Sequence, residues 1–325
     1  MLEDGRSIQR QEGERVIRFD GQAVIVTGAG RGLGRLYALE LARRGASVVV
    51  NDLGGSMRGE GADALVAEQV VAEIKEAGGV AVASSDSVAS PEGGEAIVQT
   101  ALDRFGRLDA VVSNAGIFNT VAFDELPAEE WRRMLNVHLD GGFYLSQPAF
   151  RVMKNQGYGR FVFITSSAGL FGQPESAHYA AAKAGLLGLT NVVAIEGASH
   201  GILANTVLPF GYSRMVTETV GDRDQFPAES SFLHAIEPDL VVPIVVFLAS
   251  RACEVTHQNY SACAGRFGRV FVGLGRGWLA DVGSESSADD VAEHFAEVSA
   301  TEPFSVPDSI IDEVAEICQR LGITG

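Results

Sequence analysis

Tyr179 and Lys183 are four residues apart in a stretch with helical character, residues 177–190. On a helix this spacing places both side chains on one face, so that the phenol and the ammonium can converge. A phenol with a pKa near 10 is a poor base at neutral pH, but a neighbouring positive charge favours the phenolate. The pair therefore predicts a proton-transfer site in which Tyr179 is the acid or base.

Two further polar residues can complete this site. Ser166 lies thirteen positions before Tyr179, at the end of a predicted strand, where parallel sheets place their ligand crevice. Its hydroxyl can hold a substrate oxygen, and the neighbouring Ser167 is the competing assignment. Asn136 can fix a water that relays a proton between Lys183 and solvent, or can serve as a hydrogen-bonding residue inside a helix.

Short apolar runs alternate with stretches of helical periodicity along the chain. Such alternation requires a parallel sheet covered on both faces, which predicts a doubly wound, Rossmann-like α/β fold. We expect a single domain at residues 19–278 with a substrate lid at about 211–236, a polar segment at 1–18 and a partly helical extension at 279–325. Strands are predicted at 23–27, 46–51, 80–83, 109–113, 160–165, 203–207 and 269–272, and helices at 33–44, 62–77, 92–105, 128–152, 177–200, 238–250 and 308–321.

A glycine-rich turn follows the first predicted strand. Gly28, Gly32 and Gly34 lie where backbone amides and a helix N-terminus can hold a pyrophosphate. Asp52 ends the next strand, where a carboxylate accepts hydrogen bonds from adenosine ribose hydroxyls and repels a 2′-phosphate. This favours NAD as the cofactor, whereas Arg31, inside the glycine turn, would favour NADP or the use of both.

The ends of the next two strands supply more predicted cofactor contacts. Asp86 can meet the adenine ring or serve as a helix N-cap. Asn114 begins Asn114-Ala115-Gly116 and can satisfy backbone groups of a turn within the site. The other predicted cofactor contacts are Leu33, Ser87, Ala115, Gly116, Tyr179, Lys183, Pro209 and Gly211.

Composition limits the classes of partner. The 325 residues are 46% hydrophobic and carry a formal charge of −17, which opposes binding to nucleic acid or to an acidic lipid surface. Apolar runs are too short to span a bilayer, and residues 1–20 do not resemble a secretory signal, so we expect a cytoplasmic protein without membrane contact. Cys253, Cys263 and Cys318 show no spacing typical of disulfides or metal sites, and no metal is predicted.

Asn136, Ser166, Tyr179 and Lys183, together with the glycine turn, resemble the short-chain dehydrogenase/reductase family over about residues 19–278. The resemblance implies that these four residues form a catalytic tetrad. In it Tyr179 exchanges the proton, Ser166 positions the carbinol oxygen, Lys183 lowers the tyrosine pKa, and Asn136 completes a proton relay. The family commonly forms dimers or tetramers through its long helices, so a homodimer or homotetramer is expected.

One departure from the family pattern follows the strand that ends at Leu208. The family usually has Pro-Gly there, whereas this chain has Pro209-Phe210-Gly211. The backbone contact to the cofactor normally made by that glycine is therefore in question.

Several segments resemble a branch of the family that acts on (3R)-hydroxyacyl-CoA thioesters and on 17β-hydroxysteroids. Both are bulky, apolar secondary alcohols. The negative charge and the lack of a Lys/Arg cluster near the lid lead us to expect a 17β-hydroxysteroid, with a (3R)-hydroxyacyl-CoA as the alternative and a non-catalytic NAD-binding regulator as a remote one. The segments that carry the resemblance are 48–55, 137–139, 158–160, 185–190, 194–197, 213–217 and 273–278.

A group of large apolar side chains is expected to rim the pocket, which would suit such a substrate. Its members are Phe118, Phe171, Phe210, Tyr212, Met215, Phe226 and Phe232.

Overall fold

A computed structural model describes residues 17–225, 232–281 and 285–323. An eight-stranded sheet has the order β3-β2-β1-β4-β5-β6-β7-β8, with β1 to β7 parallel and β8 antiparallel to β7. The doubly wound α/β fold is thereby confirmed. The strands are β1 (Ala23–Thr27), β2 (Ser47–Asn51), β3 (Val80–Ser84), β4 (Ala110–Ser113), β5 (Gly159–Ile164), β6 (Ile202–Phe210), β7 (Gln258–Cys263) and β8 (Arg266–Val270).

Helices connect the strands and cover both faces of the sheet. Those of the sheet domain are α1 (Gly32–Arg43), α2 (Leu65–Glu76), α3 (Pro91–Phe105), α4 (Ala128–Leu135), α5 (Gly141–Gln156), α6 (Ala168–Phe171), α7 (Ala177–Gly197), α8 (Arg214–Val220), α9 (Phe232–Ala235) and α10 (Val242–Ala249). Short 3₁₀ turns occupy Ala198–His200, Arg223–Gln225 and Pro238–Val241. Among the described residues, no helix has the length and apolar character needed to cross a membrane.

The two faces of β1 show why its run of apolar residues is required. Val24 and Val26 join a core on one face with residues of α1, α2 and α10, while Ile25 joins a second core with residues of α3, α5 and α7. All five residues of β1 are buried, as expected for a central strand covered on both sides.

The strand order also creates the crevice in which a ligand can bind. The chain winds outward from β1 through β2 to β3 and then returns to place β4 on the other side of β1. Loops after β1 and β4 therefore diverge at the carboxyl end of the sheet, which is the usual binding position in open α/β sheets.

The final part of the sheet differs from the prediction of one last strand at 269–272. The structure has two strands, β7 and β8, joined by Ala264 and Gly265 with φ angles of 50° and 78°. β7 was not predicted because its side chains include polar ones and do not form an apolar run. One of them, Asn259, accepts a hydrogen bond from Thr206 on β6 (2.8 Å). A two-residue turn with positive φ at both positions is typical of a tight hairpin.

The helix predicted at 128–152 is divided. A π-helical turn, Asn136–Asp140, separates α4 from α5, and such turns are frequent at functional sites.

From residue 274 onward the described chain forms a small peripheral layer. A two-stranded pair, β9 (Leu274–Gly275) and β10 (Phe304–Ser305), accompanies α11 (Ala288–Glu293), α12 (Phe295–Val298) and α13 (Ile310–Arg320). The Ser309 hydroxyl caps α13 by accepting a hydrogen bond from the amide of Asp312.

Candidate active site

A cavity of about 1050 Å³ opens at the carboxyl end of the sheet. Every residue that the sequence predicted for catalysis or cofactor binding lines it, although these residues come from the ends of six strands, β1 to β6, and from α1, the π-helical turn and α7. The members of this set are Gly28, Arg31, Gly32, Leu33, Gly34, Asp52, Asp86, Ser87, Asn114, Ala115, Gly116, Asn136, Ser166, Tyr179, Lys183, Pro209 and Gly211.

The glycine turn brings the first turn of α1 against the loop that precedes it. A Cβ on Gly34 would lie 2.1 Å from the Gly28 carbonyl oxygen, and Gly28 itself has a φ of +62°. Within the described chain, no side chain caps the N-terminus of α1, so its first amides are available to a ligand. A backbone cradle with free amides at a helix N-terminus fits a pyrophosphate.

Asp52 is held at the end of β2 by two backbone amides. Its Oδ2 accepts a hydrogen bond from Gly30 (2.8 Å), and its Oδ1 accepts one from Gly54 (2.7 Å). The carboxylate is therefore fixed beside the glycine turn, where it can accept hydrogen bonds from ribose hydroxyls. Gly30 was not predicted as a site residue. A Cβ at this position would lie 2.8 Å from Asp52 Oδ2, so a side chain there would crowd the carboxylate.

Asp86 is fixed at the end of β3 but does not cap a helix. Ser84 donates a hydrogen bond to its carboxylate (2.9 Å), and the Asn51 side chain donates one to its carbonyl (2.9 Å). The cap of α3 is Ser90, whose hydroxyl accepts from the amide of Gly93. This leaves the Asp86 carboxylate at the cavity wall.

Asn114, which follows β4, forms hydrogen bonds with the glycine turn. Its side-chain amide donates to the carbonyl oxygens of Thr27 (3.0 Å) and Gly28 (3.2 Å), and its backbone amide donates to the Thr27 hydroxyl (3.0 Å). The side chain thus satisfies backbone groups of a turn inside the cavity.

Tyr179 lies in the first turn of α7 and is only 8% exposed. Burial raises the pKa of Tyr179 to about 12, although a hydrogen bond with Ser166 favours the ionised form and lowers it. Ser166 follows β5, and its hydroxyl also accepts from the amide of Ala168 (3.1 Å). Ser167 occupies the N-cap position of α6 and does not line the cavity, so the geometry favours Ser166 as the partner of the tyrosine.

Lys183 is anchored one helical turn beyond Tyr179. Its Nζ donates to the carbonyl oxygen of Ile164 at the end of β5 (2.7 Å) and lies 5.6 Å from the centre of the Tyr179 ring. Burial lowers the pKa of Lys183 to about 7, so its charge changes in the neutral range. Asn136 lines the same cavity from the π-helical turn, and its place in a water relay stays a prediction.

Two rings pack on Tyr179, and of these only Phe118 was assigned a role from the sequence, as part of the pocket rim. Phe118 and His138 contact Tyr179 edge to face, with ring centres 5.0 and 5.3 Å away. His138 Nε2 lies 2.8 Å from the carbonyl oxygen of Ile117, and burial holds the pKa of His138 well below its usual range. The neutral imidazole therefore acts as a packing group that fixes the orientation of the tyrosine ring.

The predicted aromatic rim is only partly correct. Four of its members line the cavity, namely Phe118, Phe210, Met215 and Phe232. Phe171 is 73% exposed, and the Tyr212 hydroxyl bonds to Asp222 (3.0 Å), so neither lines it. Phe226 lies outside the described residues. β6 ends at Phe210, and Pro209, Phe210 and Gly211 all line the cavity.

The chain is similar to proteins of known class over most of its length. Peroxisomal multifunctional enzyme type 2 of Mus musculus is 46% identical over 254 residues, which cover 78% of this chain and 33% of the mouse protein. The chain thus spans about a third of that relative. A short-chain type dehydrogenase/reductase of Mycobacterium tuberculosis is 43% identical over 278 residues, covering 86% of this chain and 94% of its own length.

A third relative carries a substrate in its name. A 3-oxoacyl-[acyl-carrier-protein] reductase of Synechocystis is 36% identical over 248 residues, covering 75% of this chain and 96% of its own length. Among solved structures, full-length peroxisomal multifunctional enzyme type 2 from Drosophila melanogaster superimposes with a TM-score of 0.77 at 30% identity. That match covers 94% of this chain and 50% of the Drosophila chain.

Residues 22–225, more than half of the chain, match the family described as short chain dehydrogenase. Members of this family generally bind NAD or NADP. With the site geometry and these relatives, the match shows that the chain belongs to the short-chain dehydrogenase/reductase family and is an oxidoreductase acting on CH–OH groups.

Proposed function

We propose that this enzyme interconverts a (3R)-hydroxyacyl thioester and its 3-oxoacyl product with NAD. The observation that carries the proposal is the set of relatives. The branch that the sequence resembles includes (3R)-hydroxyacyl-CoA dehydrogenases, and the relative with a substrate in its name is a 3-oxoacyl reductase that is matched along nearly its whole length. These relatives favour the thioester over the 17β-hydroxysteroid that composition led us to expect.

The charges around the cavity support the same choice. The steroid was preferred because no Lys/Arg cluster is visible near the lid in the sequence. Arg31, Arg133 and Arg214 nevertheless line the cavity, and they come from three distant segments of the chain. Arg31 lies in the glycine turn and Arg133 pairs with Glu130, so Arg214, exposed at the start of α8 in the proposed lid, is the cation that we propose for a phosphate-bearing carrier.

We assign catalysis to four residues. Ser166 donates a hydrogen bond to the carbinol oxygen of the substrate, and Tyr179 removes the hydroxyl proton. Lys183, close to the Tyr179 ring, stabilises the phenolate by its charge, and Asn136 helps to return the proton to solvent. When bound, the nicotinamide accepts the hydride from the carbinol carbon.

NAD rather than NADP is proposed because of Asp52. Its carboxylate is fixed by two backbone amides beside the glycine turn, where a 2′-phosphate would meet a negative charge. Arg31, the residue that would favour NADP, is exposed and bonds only weakly to the Gly55 carbonyl (3.4 Å).

We further propose that residues 211–236 act as the substrate lid of a domain spanning 19–278, with 279–325 as an extension. Gly211, Met215, Leu233 and Ile236 all line the cavity, so movement of this segment would open or close it.

A homodimer or homotetramer is proposed through the long helices. Phe143 on α5 and Val192 and Ile195 on α7 are large apolar residues that are 42–52% exposed. Gel filtration should show a species well above the 34.3 kDa chain, and elution at that mass would reject the proposal.

The cytoplasmic location also stays a proposal. The mouse and Drosophila relatives are named as peroxisomal enzymes. Fractionation of the native host distinguishes the two compartments.

The function is tested by initial rates of NADH or NADPH formation. Each cofactor is offered a (3R)-hydroxyacyl-CoA and estradiol, with Tyr179→Phe as the control for background. The proposal predicts the largest kcat/KM for NAD with the thioester. A larger value with estradiol would return the assignment to a hydroxysteroid dehydrogenase, and binding of NADH without turnover of either alcohol would favour a regulatory protein.

A further inference from the structure

Arg133 is a half-buried cation on the wall of the cavity that Tyr179 also lines. It lies on α4, one helical turn before Asn136, and lines the cavity. The next residue, Met134, belongs to an apolar wall that also contains Phe118 and Tyr179. Arg133 therefore places a positive charge on the wall of the cavity that Tyr179 and this apolar cluster also line.

Within the described part of the chain, only one nitrogen of this guanidinium is paired. Nη2 donates to the Glu130 carboxylate (2.6 Å to Oε1). Nε is buried without a hydrogen-bond partner, and the described residues accept no hydrogen bond from Nη1. Nε is enclosed by the protein, but the Arg133 side chain is 29% exposed, so Nη1 is the donor that a ligand oxygen entering the cavity can accept from.

A chain of side chains holds Arg133 in place relative to Tyr179. Glu130 also accepts a hydrogen bond from the amide of Asn119 (3.0 Å), whose oxygen lies 3.0 Å from Nε2 of the fully buried His178. Because the Asn119 nitrogen is used by Glu130, its oxygen must accept, and the proton of His178 lies on Nε2. His178 precedes Tyr179 directly, so the guanidinium and the phenol belong to one connected arrangement.

The two candidate substrate classes differ in what they offer such a donor. In a 3-hydroxyacyl thioester the carbonyl carbon is two carbons from the carbinol carbon, so an oxygen acceptor lies close to the reacting centre. In a 17β-hydroxysteroid the atoms around the carbinol carbon are hydrocarbon. An unpaired guanidinium N–H in the cavity that holds Tyr179 therefore distinguishes the two chemically.

We propose that Arg133 determines specificity by donating a hydrogen bond to the carbonyl oxygen of the acyl thioester. The inference rests on the proposed function and deepens it, because it names the group that selects thioesters over other secondary alcohols. Glu130, Asn119 and His178 are positioning residues that hold the guanidinium.

A matched pair of substrates tests this role. One is a (3R)-hydroxyacyl thioester of N-acetylcysteamine, and the other is the thioether in which the carbonyl is replaced by CH₂. Arg133→Met should lower kcat/KM for the thioester by about 10- to 100-fold, as expected for a lost charged hydrogen bond, and for the thioether by less than about 3-fold. The Kd of the 3-oxoacyl thioester should rise by a similar factor.

Two further variants separate this role from a structural one. Arg132→Met removes the neighbouring, exposed arginine and should leave both substrates unchanged. Glu130→Gln keeps Arg133 but loosens it, and should lower only the thioester rate, by less than Arg133→Met does.

Equal losses for thioester and thioether in Arg133→Met, or no loss for either, would overturn the role of Arg133 while leaving the proposed function intact. A wild-type protein that oxidises estradiol but not the thioester would overturn the proposed function, and this inference with it.

Discussion

The glycine turn and the apolar wall around Tyr179 line the same cavity but are held by different kinds of contact. At the glycine turn, backbone meets backbone or a short polar side chain, as where Gly30 donates to Asp52 and Asn114 donates to Gly28. Around Tyr179, large side chains such as Phe118 and Met134 pack together from loops and helices far apart in sequence. The cofactor side therefore tolerates little change, whereas the substrate side can alter its side chains without altering the fold.

The sharpest way to separate the two sides is to remove only the tyrosine hydroxyl. Tyr179→Phe should lower kcat by about 1000-fold, as expected when a general acid/base is lost, while NADH binding stays within about 2-fold. NADH fluorescence titration and initial rates measure the two effects. Tyr158→Phe is the control, because the Tyr158 hydroxyl bonds to Gln22 outside the cavity (3.3 Å) and its loss should leave turnover unchanged.

The cofactor side is tested by adding one methyl group. Gly34→Ala would place a Cβ 2.1 Å from the Gly28 carbonyl oxygen, and backbone must move to make room. A displacement of that size should weaken NADH binding by about 100-fold. Gly188→Ala on α7 is the control, because no atom of the described chain lies within 4 Å of the point that its Cβ would occupy. Equal NADH affinity in Gly34→Ala and wild type would contradict the packing of this turn.

Charge on the cofactor side gives a smaller effect. Asp52→Asn removes the negative charge but keeps an oxygen that can accept from Gly30 or Gly54, so the preference for NAD over NADP should fall by about tenfold. The ratio of kcat/KM for the two cofactors measures this. Asp63→Asn is the control. Asp63 is exposed and accepts a hydrogen bond from the backbone amide of Leu65 at the start of α2, so its replacement should leave the ratio unchanged. An unaltered ratio in Asp52→Asn would mean that selectivity lies elsewhere.

The smallest effect concerns pH. Burial raises the pKa of Tyr179 to about 12, so the phenol is protonated at neutral pH and oxidation, which needs the phenolate, should accelerate as pH rises from 6 to 9. Reduction needs the phenol and should not accelerate. Lys183→Met removes a cation whose pKa is about 7, so it should lower the oxidation rate most at pH 6 and progressively less as the pH rises above 7. An unshifted profile would show that Lys183 does not tune the tyrosine.

The two sides also differ in how far the sequence predicts them. Glycine spacing and the ends of apolar strands are local signals, so Gly28, Asp52 and Asn114 were placed correctly in the cavity. Tyr179 and Ser166 were predicted from their residue types and from their position after a strand and on a helix, and the structure brings their hydroxyls into hydrogen-bond contact. The doubly wound sheet followed from alternating periodicities.

What could not be predicted depends on packing between distant segments. Arg133 reaches the cavity only because α4 packs against α7, and no local pattern marks it. Phe171 has the same residue type as Phe118 yet faces solvent, because it ends the short helix α6. β7 was not predicted because its sequence contains no apolar run; its polar side chains form hydrogen bonds within the sheet instead.

The most direct test of the account follows a deuterium label. A (3R)-hydroxyacyl-CoA carrying deuterium on the carbinol carbon is oxidised with NAD, and both products are analysed by mass spectrometry. The account predicts one deuterium in each reduced cofactor and none in water, because Tyr179 handles only the hydroxyl proton. Label released to water, or a cofactor that stays unlabelled while the 3-oxoacyl product forms, would contradict it.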